Sequence, residues 1–159
     1  MRSQYLAFLA IVVLGCGSDS AMPDAPAEPV LLPADYAQTY QQVRNCRFSL
    51  EHDLIRIRVL ASPDALTPYN GRTAPFPVGA VIVKEQYAED DTNCAGPIVD
   101  YTVMKKLDAA DTTAENMGWS WQEVSATFRS TDADIKRCTN CHKDCGNPPD
   151  GYDATCAVP

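Results

Sequence analysis

Four segments alternate apolar and polar residues with the period of two that marks a strand with two different faces. In Leu54-Ile-Arg-Ile-Arg-Val-Leu60, Ile55, Ile57 and Val59 fall on one face and Arg56 and Arg58 on the other. Gly79-Ala-Val-Ile-Val-Lys-Glu85 follows the breaker Pro75-Phe-Pro and puts Ala80, Ile82 and Lys84 on one face, Val81 and Val83 on the other. Val99-Asp-Tyr-Thr-Val-Met-Lys105 alternates again, and Gly118-Trp-Ser-Trp-Gln-Glu-Val124 gathers Trp119, Trp121 and Glu123 on one side. Residues 126–129 are a fifth candidate strand. These segments predict an antiparallel sheet. A helix from about Ala34 to Arg44 precedes it, and another, from about Asp132 to Lys143, follows. Thr131-Asp-Ala-Asp134 has the Thr-x-x-acid form of a capping box for that second helix, and Asp132 and Asp134 sit where the helix dipole favours anions. The predicted class is α+β: mainly antiparallel sheet, with an N-terminal and a C-terminal helix.

The two ends of the chain differ in character. Arg2 is followed by the apolar run 5–14 and then Gly15-Cys16, a short signal-type segment that is too short to span a bilayer as a mature helix. Val13-Leu14-Gly15-Cys16 resembles the lipobox of bacterial lipoproteins, in which the Cys is acylated and becomes the new N-terminus. Residues 17–29, GSDSAMPDAPAEP, hold too little apolar surface to offset ordering entropy and predict a tether. The expected organisation is a signal peptide at 1–15, a lipidated Cys16 with its tether at 16–30, and one domain at 31–159. The expected location is the periplasm or cell envelope, lipid-anchored, with Gly17-Ser18 favouring the outer membrane. Net charge is −8, and loss of residues 1–15 removes one charged side chain, Arg2, which leaves −9. Such a polyanion is excluded as a nucleic-acid binder.

The seven cysteines bear on the chemistry. Cys138-Thr-Asn-Cys-His142 admits three readings. A thioredoxin-like pair belongs at a strand-to-helix junction early in a βαβ unit, and no such pattern surrounds this motif. A zinc site needs a second ligand pair, which Cys145 and Cys156 would supply, but an oxidising compartment favours disulfides. A c-type haem needs two thiols one helical turn apart and an imidazole beside the second, and this reading is preferred, with His142 as the axial iron ligand. Setting aside Cys16, Cys138 and Cys141 leaves four cysteines and three connectivities. The preferred pairs are Cys145 with Cys156, closing a short Gly/Pro loop, and Cys46 with Cys94, tying a helix end to a strand connection.

Pro33-Ala-Asp-Tyr36, Phe76-Pro-Val-Gly-Ala-Val-Ile-Val-Lys-Glu85, Met104-Lys-Lys106, Gly118-Trp-Ser-Trp121 and the late Cys138-Thr-Asn-Cys-His142, in this order, resemble the cytochrome P-460 family over most of residues 33–145. The resemblance implies a mainly antiparallel fold, a homodimer and a single covalently attached haem c, five-coordinate, on one face of the sheet. In enzymatic members a lysine on the Phe-Pro-x-Gly strand is joined to the haem and hydroxylamine is oxidised. Relatives, the β-sheet cytochromes c′, bind nitric oxide or carbon monoxide. Lys84 matches that lysine. The family's carboxylate on the third strand falls, without a gap, at Tyr101, and Asp100 is then expected on the opposite face. Two functions follow: a haem oxidoreductase acting on a small nitrogen compound and served by a redox partner protein, or a gas-binding or electron-transfer cytochrome. The tail after His142 departs from the family.

Lys84 among Ala80, Ile82, Val81 and Val83 is also suggestive on its own, because a desolvated lysine is the nucleophilic neutral amine. Its plainer role is a strand-end lysine pairing with Glu85 or Glu123. His52 is expected to be an exposed strand-edge residue, although it is near enough in sequence to the first strand to approach a haem. Arg56 and Arg58 are expected in solvent unless they meet haem propionates. Met104 and Met117 are expected in the core rather than on iron, and Trp119 and Trp121 in the core or a dimer interface.

Overall fold

The computed structural model describes residues 28–157 apart from 51, 53, 54, 132 and 133. The expected signal segment, Cys16 and most of the expected tether lie outside the described residues. No helix among those described is long and apolar enough to cross a membrane.

Six strands form one antiparallel sheet in sequence order: β1 Gln41–Ser49, β2 Ile55–Ala61, β3 Val81–Tyr87, β4 Asp100–Lys106, β5 Trp119–Ser125 and β6 Ser130–Thr131. Helix α1 is Tyr36–Thr39, α2 Leu66–Gly71 and α3 Ile135–Cys145. The four alternating segments became β2 to β5. Residues 126–128 form a turn instead, and the fifth expected strand falls just beyond it as the two-residue β6.

The helix expected over 34–44 is a single turn. Tyr40 is already extended, and Gln41–Ser49 is the edge strand β1, paired from Gln41 opposite Ala61 to Ser49 opposite Ile55. Two register shifts, between Gln42 and Arg44 and between Arg44 and Arg47, break its alternation and hide it from a period-two reading. Its exposed Arg47 and its bulges are devices that blunt an open sheet edge.

Each face of the sheet has its own core. On one face Ile57, Val59, Ala61, Ile82, Met104, Trp119 and Trp121 pack with Tyr69 and Phe76. Trp119 is fully buried, edge-on to Phe76 with ring centroids 5.1 Å apart, and donates from Nε1 to the Asp153 carbonyl at 3.0 Å. On the other face Leu60, Val81, Val83, Tyr101, Val103 and Val124 are covered by Leu32 and Tyr36. The chain is docked from Pro29 onward: Gln122 Oε1 accepts from the Leu31 N–H at 2.7 Å and Nε2 donates to the Pro29 carbonyl at 3.1 Å. The last tether residues therefore belong to the fold.

Buried Glu85 organises this second face. It accepts from Arg58 Nε at 2.6 Å, Tyr36 Oη at 2.8 Å and Tyr87 Oη at 2.8 Å. Disulfides join Cys46 to Cys94 and Cys145 to Cys156, the preferred pairs, although Cys46 lies in a strand rather than at a helix end.

Candidate functional site

Helix α3 starts later than expected. Asp134 is its N-cap and accepts from the Lys136 and Arg137 amides, whereas Thr131 lies in β6 and Asp132 lies outside the described residues. The helix turns Cys138, Cys141 and His142 toward a solvent-open cavity whose other walls include His52, Ile82, Lys84, Asp100 and Trp121. The cavity floor is the first face of the sheet. Strand pairing sets Lys84 opposite Thr102 and Thr102 opposite Glu123, so the face that carries Lys84 also carries Ile82, Gln86, Asp100, Met104 and Trp121.

This register corrects the expectation for the third strand. Gln86 pairs with Asp100 in an unbroken ladder, which sets Asp100 on the Lys84 face without a bulge. Tyr101 points the other way: its ring is buried edge-on to Tyr36 and Phe128 in the second core. Asp100 Oδ1 and Thr102 Oγ1 are buried with no hydrogen-bond partner among the described residues. Orphaned polar atoms of this kind mark a site built for something else to bind.

Three nitrogens meet above the floor. Lys84 Nζ is 2.9 Å from His52 Nε2 and 3.3 Å from His142 Nε2. His52 is thus half-buried in the cavity wall, not an exposed edge residue. Burial, then the Lys84 charge, holds both imidazoles down at about 3. Burial, then the Arg47 charge, lowers Lys84 to about 8, which brings the neutral amine within reach near neutral pH. His142 Nδ1 donates to the Ala154 carbonyl at 2.7 Å and Trp121 packs edge-on to the ring at 4.7 Å, so Nε2 is the lone-pair nitrogen and faces the cavity.

Cys138 is half-buried, Cys141 is exposed, and neither is in a disulfide. Burial, then the Glu123 charge, raises the Cys138 thiol. Cys145 and Cys156 lie within 4.8 Å of His142, but both sulfurs are used in their disulfide, which removes them as the second ligand pair of a zinc site. Arg58 is tied to Glu85 on the far face, and Arg56 Nε donates to the Glu89 carbonyl, so neither is on the cavity floor. Glu85 on that far face is no partner for Lys84. Met104 is buried core on the cavity floor.

Two thiols one helical turn apart, an imidazole whose lone-pair nitrogen faces the cavity, and unsatisfied polar atoms on the floor together fit a haem pocket on a β-sheet. The family comparison agrees. The family described as Cytochrome P460 matches residues 33–148, more than half of the chain, and the chain belongs to that haem-protein family. Comparison with curated proteins found no match.

Cys138, Cys141, His142 and Lys84 were expected at the site from the sequence, whereas His52 as a neighbour of Lys84, and Thr102 and Gln86 as floor residues, were not. For the floor the signal was present, because Asp100, Thr102 and Met104 alternate with the apolar Tyr101 and Val103.

Proposed function

We propose that this chain is an exported, lipid-anchored protein that carries one haem c and performs redox chemistry on a small nitrogen compound, hydroxylamine or nitric oxide. The observation that carries the reading is the convergence of the Cys-x-x-Cys-His helix and Lys84 over a floor that contains Asp100. Cys138 and Cys141 would hold the haem through thioether bonds and His142 Nε2 would ligate its iron. When bound, the haem would supply an iron able to accept electrons from the substrate. Lys84, partly neutral near pH 8, is the amine suited to a covalent bond to the macrocycle. Such a bond would replace one Lys84 N–H and one C–H of the bound group, and forming it would require a two-electron oxidant such as peroxide. Asp100 is positioned to accept a substrate proton, with Thr102 and Gln86 as orienting groups.

Cys16 would carry the lipid, holding the domain near membrane redox partners, and a homodimer is proposed as its assembly. The apolar wall of Ile82, Met104 and Trp121 supports a second reading, a gas-binding or electron-transfer cytochrome. Hydroxylamine turnover with an electron acceptor separates the two. A rate far above that of free haem supports the enzyme, and no turnover leaves the gas-binding or electron-transfer cytochrome.

A further inference from the structure

The segment that follows α3, most of it beyond the family match, is not a loose end. Residues 146–157 fold back on the C-terminal end of α3 and the floor of the first core, where Ala154 and Ala157 are buried. Ala154 N–H donates to the Gly146 carbonyl at 3.1 Å and Gly151 N–H to the Asn147 carbonyl at 2.8 Å. Lys106 Nζ reaches both carboxylate oxygens of Asp153 at 2.9 Å, and Trp119 Nε1 holds the Asp153 carbonyl. Asp153 and Ala154 both have left-handed backbone, φ 46° and 58°, a conformation that non-glycine residues adopt only when their surroundings enforce it. Tail and helix touch backbone to backbone: a Cβ on Gly151 would collide with the carbonyls of Cys145 and Thr155. The Cys145–Cys156 disulfide closes this loop onto the helix.

What the loop delivers is the Ala154 carbonyl, 2.7 Å from His142 Nδ1. We propose that the C-terminal tail is a clamp on the proximal imidazole: its cross-linked loop holds the Ala154 carbonyl against His142 Nδ1–H and thereby sets the orientation and donor strength of Nε2. These are positioning residues, and the proposal rests on His142 being the haem ligand. A donated Nδ1–H makes the ring a stronger donor at Nε2, which favours the ferric state. Loss of the clamp therefore moves the reduction potential to more positive values and weakens the iron–histidine bond.

Two variants of the full chain release the clamp by different routes. Cys145→Ser with Cys156→Ser removes the cross-link and leaves Cys46–Cys94 intact, and Gly151→Ala pushes the loop off the helix. In haem-free protein the His142 Nδ1–H proton, followed by NMR, should be protected from exchange in the parent chain and exchange at least about tenfold faster in each variant. In haem-loaded protein both variants should show a more positive potential and a lower iron–histidine stretching frequency. An unprotected Nδ1–H in the parent chain overturns the clamp, and does so even if both variants fail to fold. An unchanged potential and stretching frequency in either folded variant also overturns it. If no haem is attached, the functional reading fails on its own, while the proton measurement still decides the clamp.

Discussion

Replacing Glu85 tests whether the two faces of the sheet do separate work. The carboxylate is 2 % exposed and accepts three hydrogen bonds, one of them from Arg58, whose side chain is 31 % exposed. In Glu85→Ala all three are lost. A hydrogen bond to a charged group contributes about 1.5–3 kcal/mol and a neutral one about 1 kcal/mol. Arg58 can turn to water, so its share sits at the low end. The two tyrosine hydroxyls cannot, and with all three bonds to the carboxylate taken at the low end the sum is about 4–5 kcal/mol. Glu85→Gln preserves shape and two acceptor contacts on one oxygen, so its expected cost is about 1–2 kcal/mol. Urea unfolding of both variants against the parent chain measures these values. The haem-loaded variants should keep the parent absorption spectrum, because Lys84, next in sequence, points through the opposite face. A loss below 1 kcal/mol in Glu85→Ala, or a spectral change in folded Glu85→Gln, would refute the reasoning.

Asp100→Asn keeps the size of the floor residue but cannot take a proton, so hydroxylamine oxidation should fall by about 10²- to 10⁴-fold with an unchanged ferrous spectrum; an unaffected rate removes Asp100 from the chemistry. In haem-free protein, His52 and His142 have folded values near 3 against about 6.5 unfolded, so between those values the unfolded chain binds more protons. Their contribution is complete above pH 6.5 and is lost as pH falls toward 3, and His52→Gln should flatten the pH dependence of the urea midpoint in that window; an identical slope contradicts the burial of His52. Removing Cys46–Cys94, whose partners are 48 residues apart, should cost ~4 kcal/mol by the chain-entropy relation. A denaturation midpoint unchanged in Cys46→Ser with Cys94→Ser would show that β1 is held by pairing alone.

The inner strands were legible because both faces of the sheet are covered and each alternation is strict, as in β3, where Val81 and Val83 face one core while Ile82 faces the other. Strand β1 was not legible, since its two register shifts scramble the period and its Gln- and Arg-rich composition suits a helix face equally well. The cavity chemistry divides in the same way. Cys138, Cys141 and His142 are close in sequence, so one helix brings them together, and Lys84 was found from the family resemblance with support from its apolar strand. Asp100 was set on the wrong face because a gap-free match to a family pattern was followed instead of the pairing register, which only the assembled sheet defines. His52 joins Lys84 across 32 residues, and the Ala154 carbonyl joins His142 through a tail whose sequence holds no periodic signal.

The most direct test of the central claim is an absorption spectrum of the protein purified from cells with cytochrome c maturation, before and after dithionite, and again after acid–solvent extraction of free haem. Haem absorbance should stay on the polypeptide through extraction, with a ferrous Soret band moved far to the red of an ordinary c haem if Lys84 is cross-linked. A colourless protein, or colour that extracts completely, would contradict attachment through Cys138 and Cys141.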